Sequence, residues 1–428
     1  MSSSPRTAVA ALLSALAVVA CTDAAPTATS LEIPIEASLA TSAADPRLMA
    51  LAGQKIFEDT DLSLRRNQSC ATCHDRAFGF SSPNAQENAH GGVLPGSIPT
   101  RFGSRRPPMA AYAAFSPVFA YNAEDDVFIG GNFWNGRATG ARLGNPAAEQ
   151  ALEPFLDSTE QALPDLACVM WRITKAKYAP QYYNAFGTAL KKVEFPVSTS
   201  AICQTEGATV PLGPKQRQLA IAEYDNVGRA LAAFEQSEIV SPFNSRYDAW
   251  LNGRGKLNDE ELIGLKLYEG KAQCALCHPN AGQRALFTDF TYDNIGTPGN
   301  VENPAFIRSG FIDQGLGGTL TRDDLRGAHK VPSLRNTDKR PHPLAPKAFM
   351  HNGVFKTLEQ VVHFYNTRDV LPVCPAGVDF RDPRFGLTCW PAPEVAENVN
   401  VDELGNLGLT PKEEKAVAAY IRTLNDKQ

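Results

Sequence analysis

The chain has 428 residues, 43% of them hydrophobic and 20% charged, which is enough to bury more than one core and too evenly mixed for a disordered or low-complexity protein. Its 41 basic and 46 acidic residues leave a formal net charge of -5, without the basic footprint that a nucleic-acid-binding protein requires.

The chain begins "MSSSPRTAVAALLSALAVVAC", with Arg6 ahead of an apolar run from Ala8 to Ala20 broken only by Ser14. Residues 1–20 therefore read as a signal peptide, and the run is too short to span a bilayer. Because it stops at "VVAC", Cys21 stands where a bacterial lipoprotein is cleaved and acylated; ordinary cleavage nearby is the alternative. Residues 21–45, rich in Ala, Thr and Ser, read as a flexible tether. The expected location is periplasmic or at the cell surface, as an outer-membrane lipoprotein if a lipid anchor is built on Cys21.

Two short stretches then repeat. "GQKIFE" at Gly53–Glu58 and "GLKLYE" at Gly264–Glu269 share a G-x-K-[IL]-[FY]-E pattern, and each precedes a C-x-x-C-H: "SCATCH" at Ser69–His74 and "QCALCH" at Gln273–His278. In such a motif two thiols bond covalently to the haem vinyls and the adjacent histidine ligates the iron. A thioredoxin-like pair needs no following histidine, and a zinc site would want its two cysteine pairs close together, whereas these begin at Cys70 and Cys274. Two haem c groups are expected, on Cys70, Cys73 and His74 and on Cys274, Cys277 and His278.

Between the motifs, Gln216 to Glu235 carries Ile221, Tyr224, Val227, Leu231 and Phe234 at helical spacing. The turn-rich "SPFNSRYDAWLNGRGK" that follows places a domain junction near residue 240, with an N-terminal haem domain over 46–240 and a C-terminal one over 241–428. Asn258 as N-cap, with Glu261 three residues on and Leu262, Leu265 and Tyr268 on one face, predicts a helix leading to the second motif. Thr410, Pro411 and Glu413 start a last helix whose apolar face is Val417, Tyr420, Ile421 and Leu424. Residues 81–108 and 301–344, dense in Gly, Pro and Arg, read as loops over the haem edges. The fold class expected is mainly α, two cytochrome c-like haem domains with long loops and few strands. Four cysteines remain, expected to pair as Cys168 with Cys203 and Cys374 with Cys389, with free buried thiols as the alternative.

Further motifs fix the class more narrowly. "FWNGRA" at Phe133–Ala138 is followed by Gln150 and, ten residues later, Glu160; "VPSLRN" at Val331–Asn336, "MHNGVFKTLEQVV" at Met350–Val362 and "FYN" at Phe364–Asn366 come later. With both haem motifs, in this order, the chain from about Gly53 to Leu424 resembles the bacterial dihaem cytochrome c peroxidases and the related MauG-type enzymes.

The resemblance implies roles. The haem on His74 would meet hydrogen peroxide, with Glu160 as acid-base group, Gln150 beside it and Trp134 as relay between the haems; Arg137 would pair with a haem propionate. The haem on His278 would store and pass electrons, with Tyr365 as its distal ligand where peroxidases use a methionine, and with Met350 and His363 as rivals. His90, sixteen residues after His74, stands at the separation of a removable ligand to the first haem. A calcium ion between the domains is a family feature, but Arg106 and "HPLAPKAF" replace its expected ligands. The implied activity is an exported dihaem c-type peroxidase taking electrons from a small redox protein. The alternative is a MauG-like enzyme that uses a bis-Fe(IV) state to oxidise tryptophan or tyrosine of a partner protein. A non-catalytic dihaem electron carrier is a third reading, which Gln150 and Glu160 disfavour because a carrier needs no proton donor over an iron.

Overall fold

In the computed structural model, which describes residues 45–427, both copies of the G-x-K motif are helical. Pro46–Phe57 starts on Asp45, whose carboxylate accepts from the Arg47 amide, and Asp259–Glu269 starts on a capping box between Asn258 and Glu261. Each helix crosses a longer partner at its motif glycine. A Cβ on Gly53 would stand 1.9 Å from the carbonyl oxygen of Ala230 in the helix Pro214–Gln236, and one on Gly264 would stand 2.0 Å from that of Ala416 in the helix Pro411–Arg422. Glycine costs a helix interior roughly 0.5–1 kcal/mol relative to alanine. Its presence at both places is a packing requirement, and the sequence repeat is the signature of a repeated helix crossing.

A hydrophobic core surrounds each crossing. Ile56, Phe57, Leu62, Phe155, Tyr182, Val227, Leu231 and Phe234 gather around the first, and Tyr268, Phe287, Phe355, Phe364, Val417, Tyr420 and Leu424 around the second. Each large apolar side chain buried in this way contributes about 1.5–3 kcal/mol. The disulfide Cys168–Cys203 lies in the first core, both residues fully buried, and Cys374–Cys389 ties the segment beside Trp390 in the second.

Among the described residues the β structure consists of short pieces: two antiparallel ribbons, Ala120–Asn122 with Val127–Ile129 and Tyr292–Asp293 with His329–Lys330, and isolated bridges. The fold is mainly α with few strands. Residues 81–108 and 301–344 are largely irregular, as expected, but hold the short helices Ala85–Ala89, Pro304–Ser309 and Gly315–Leu320. The first two begin on Asn84 and Asn303 caps that the dense Gly and Pro content obscures. No helix among the described residues is long and apolar enough to cross a membrane. The expected signal peptide, Cys21 and nearly all of the tether lie outside the described residues.

Candidate active site: two cavities and the wall between them

Each C-x-x-C-H opens onto its own cavity. Cys70, Cys73 and His74 line one of about 1350 Å³, and Cys274, Cys277 and His278 line another of about 1460 Å³, both partly open to solvent. The two histidines are fixed in the same way: Nδ1 of His74 is 3.0 Å from the Phe80 carbonyl and Nδ1 of His278 is 2.8 Å from the Phe287 carbonyl. A carbonyl only accepts, so Nδ1 carries the proton and Nε2 keeps its lone pair. Burial lowers the pKa of both, that of His278 to about 4, and holds the imidazoles in the neutral form that ligates a metal.

None of the four motif cysteines is in a disulfide, and burial raises their thiols, those of Cys73 and Cys274 to about 12. Each cavity therefore presents two protonated thiols and one unprotonated imidazole nitrogen. The first also has Gln161 in its wall, 3% exposed, with both ends of its amide lacking a partner. Orphaned buried amides are rare in a finished interior. This donor set fits a covalently held haem in each cavity.

Gln150 and Glu160 both line the first cavity. Gln150 ends the helix Pro146–Gln150, which Asn145 caps. Glu160 follows a turn made by Asp157, whose carboxylate accepts from the Thr159 amide at 2.7 Å, while the Glu160 carbonyl accepts from the Ser97 amide at 2.6 Å. Gly96 makes that approach feasible, since a Cβ there would lie 2.2 Å from the Thr159 carbonyl oxygen. The Glu160 side chain lines the cavity and forms no hydrogen bond with another described residue. Burial, reinforced by Asp157 and opposed by Arg137, raises its pKa to about 7.

Six residues line both cavities: Arg106, Trp134, Lys330, Val331, Pro332 and Thr337. Trp134 is only 6% exposed. Its indole N–H donates to the Arg106 carbonyl at 2.9 Å, and its own carbonyl accepts from the Lys330 amide at 2.8 Å. The Arg106 guanidinium lies 5.5 Å from the indole centroid and donates to the carbonyl of Met350 and to Ser81. Burial lowers Arg106 to about 10 and Lys330 to about 7.

Tyr365 and Met350 both line the second cavity. Burial, with Cys277 and Asp293 adding to it, lifts the Tyr365 phenol far above its ordinary value. His363 lies off that cavity, with Nδ1 2.9 Å from Glu414 and Nε2 2.8 Å from the Gly386 carbonyl. His90 is exposed, paired with Glu302 at 2.9 Å, and away from the first cavity. Arg137 also stands outside both cavity walls, paired with Glu153 at 2.9 Å and stacked on the Phe133 ring. Four charged groups in the cavity walls escaped the reading of the sequence as site residues: the buried Lys347 and Glu235 and the half-buried Lys330 and Arg106, the last noted there only as a replaced calcium ligand. Glu235 had a signal, a charge four residues after Leu231 on an otherwise apolar helix face.

The sequence profile described as "Di-haem cytochrome c peroxidase" matches residues 47–256. The "Methylamine utilization protein MauG" of Paracoccus denitrificans is 32% identical over 398 residues, covering 90% of each chain. The "Cytochrome-c peroxidase IdrP2" of Denitromonas iodatirespirans is 26% identical over 331 residues, covering 74% of this chain and 73% of its own. The crystal structure of the diheme peroxidase BthA from Burkholderia thailandensis superposes with a TM-score of 0.68 at 29% identity, covering 90% of this chain and 87% of that one.

Proposed function

Because this chain belongs to the dihaem cytochrome c peroxidase and MauG family of oxidoreductases, we propose that it is an exported enzyme with one haem c in each cavity, that its first haem reacts with hydrogen peroxide, and that electrons reach it through the second. In this reading residues 46–240 form the peroxidatic haem domain and 241–428 the electron-transfer haem domain, with a signal peptide and a lipid-anchored Cys21 ahead of them. The observation that carries it is Glu160: a carboxyl with its pKa raised to about 7, without a hydrogen-bond partner among the described residues, in the cavity of His74, whose wall also contains Gln150.

A bound haem supplies the iron that takes peroxide and the electrons that break its O–O bond. The remaining work falls to side chains. Cys70 and Cys73 hold the group, and His74 offers Nε2 because its other nitrogen is committed to Phe80. Reducing hydrogen peroxide to two waters consumes two electrons and two protons. A carboxyl populated in both forms near neutral pH can accept a proton from the near oxygen and return it to the leaving one, a service typically contributing 10²–10⁴-fold in rate. Gln150, uncharged and able to donate and accept, orients that exchange. Trp134 joins the two cavity walls, and its N–H bond to a carbonyl, a poor base, lets it pass an electron while keeping its proton.

A second reading rests on Tyr365 in the wall of the second cavity. A phenolate ligand to iron favours its higher oxidation states, which suits storing two oxidising equivalents for withdrawal from a partner protein. Stopped-flow optical and Mössbauer measurements, with one equivalent of peroxide added to the fully ferric holoenzyme, separate the two. Consumption of peroxide without a donor, with both iron signals changed and the change lost in Tyr365→Met, selects the partner-oxidising enzyme. An inert ferric form that turns over only after the second haem is reduced selects the peroxidase. No reaction in either state overturns both.

A further inference from the structure

The first cavity contains a second carboxyl for which the peroxide reaction has no use. Glu235 lies in the last turn of the helix Pro214–Gln236, is 5% exposed, and lines the cavity of Cys70, His74 and Glu160. Its carboxyl forms no ion pair and no hydrogen bond with any described residue, while its backbone carbonyl accepts from the Ser241 hydroxyl at 2.9 Å. An ionised carboxylate there would be desolvated, unpaired and set against the negative end of a long helix, so the neutral acid is the form the fold tolerates.

No charged neighbour relieves it. On the helices and turns packed against this one, Lys55 pairs with Glu58, Glu149 accepts from the Gly140 amide, and Arg172 donates to the Asp61 and Cys203 carbonyls. Arg47, Lys175, Lys191 and Lys192 are exposed. In the cavity wall, Arg106 is bonded to Met350, Lys330 to Ser116 and Gly130, and Lys347 to three backbone carbonyls. Tyr112 donates to Asp426. The titratable group on which the Glu235 charge acts is the thiol of Cys70, which becomes a neutral thioether once a haem is attached.

We infer that Glu235 is a redox-linked proton store for the first haem: under alkaline conditions, where it is ionised beside the ferric haem, it takes up one proton when that haem gains an electron and gives one up when it loses one. The step balances as ferric iron with a Glu235 carboxylate, plus one electron from the reductant and one proton from water, giving ferrous iron with a Glu235 carboxylic acid. The net charge of the first cavity is thereby kept constant as electrons pass. Glu160 is left free to serve the peroxide oxygens, so the two carboxyls divide the work. Burial raises Glu235 to about 8, which fixes where the linkage shows. Below that pH the acid is already protonated in the ferric state and reduction draws no proton; above it, reduction does.

The inference rests on the first cavity holding a haem c, and the test separates the two claims. The holoenzyme is titrated potentiometrically between pH 6 and pH 10 with each haem followed by its optical bands, in the wild type, Glu235→Gln and Glu160→Gln. The first-haem potential of the wild type and of Glu160→Gln should fall above about pH 8 by a tenfold change in equilibrium constant per pH unit, about 59 mV for one electron. That segment should vanish in Glu235→Gln. A wild-type potential independent of pH, or a slope that survives in Glu235→Gln, overturns the inference while leaving two haems in place. A protein with a single haem c, lost at Cys70 and Cys73, overturns the haem assignment with it. Should Glu235→Gln fail to load haem, redox-difference infrared spectroscopy of the wild type above pH 8 decides. A deuterium-sensitive carboxylic acid band that grows on reduction supports the store, and its absence overturns it.

Discussion

On the histidine side the two cavities match closely. Each has a helix crossing at a glycine, a C-x-x-C-H turn, and an imidazole whose Nδ1 is tied to a phenylalanine carbonyl 2.8–3.0 Å away. In the rest of their walls they diverge. The first is lined by Glu160, a carboxyl that exchanges a proton near neutral pH, and by the uncharged Gln150, whereas the second is lined by Tyr365 and Met350, groups that ligate or pack. Under the proposed function, the duplicated base and the two different walls divide the labour: what differs would decide which haem meets the substrate and which one handles electrons. Trp134 lines both cavities, which is why the proposed function makes it the relay.

The largest test removes one base at a time. Cys70→Ala with Cys73→Ala should leave a protein with half the haem c by pyridine haemochrome assay and no reaction with peroxide. The matching pair, Cys274→Ala with Cys277→Ala, should also halve the haem but leave a first haem that still binds cyanide or peroxide without sustained turnover. Equal loss of peroxide binding in both would mean that the walls do not divide the work.

Next comes the wall of the first cavity. Glu160→Gln keeps the shape and removes the proton carrier, so kcat/KM for peroxide should fall on the order of 10²–10⁴-fold. Because the pKa is raised to about 7, the ionised form that accepts the peroxide proton grows as pH rises through 7; wild-type kcat/KM should climb across that point and level off above it. The variant should lose that limb, and a limb that persists would assign it to another group. Tyr365→Met should act on the other wall. Thioether for phenolate raises the second-haem potential, on the order of 0.1 V within the ~0.8 V that axial ligands span, measured by spectroelectrochemistry. An unchanged potential would leave Met350 as the ligand.

Much of this was legible in the sequence because it is local. Capping boxes at Asn258 and Thr410, the apolar stripe through Leu231, the C-x-x-C-H pairs and the two cysteine pairings are each set by residues close in the chain or by simple counting, and the structure contains them all. Of the shared wall, Trp134 was anticipated through the family resemblance, but Arg106 and Lys330 were not: they meet it from two other segments, through a carbonyl that accepts from the indole and a backbone amide, neither of which leaves a side-chain signature. A motif or a spacing says nothing of direction: Arg137, taken from the resemblance, pairs with exposed Glu153, and His90, taken from its spacing, pairs with half-buried Glu302. Only three-dimensional packing separates Glu160, on a cavity wall, from a solvated residue in "DSTEQA".

The smallest effect compares the staples of the two halves. Cys168–Cys203 closes 35 residues and Cys374–Cys389 closes 15. Chain entropy alone then assigns them about 4 and about 3 kcal/mol. Burial widens the gap, since Cys168 and Cys203 are both fully enclosed in the first core and the Cys203 carbonyl accepts from buried Arg172, whereas Cys374 is partly exposed. Replacing each pair by alanines and unfolding the holoenzyme in urea should therefore show the larger loss for the first pair, with haem content and peroxide kinetics unchanged in both because neither pair lines a cavity. A larger loss for the second pair would mean that the loop around Trp390, packed on Phe355 and Phe364 beside Tyr365, depends on its staple more than loop length predicts. The second wall would then be the less rigid of the two, and a shift in the second-haem potential on breaking Cys374–Cys389 would register it.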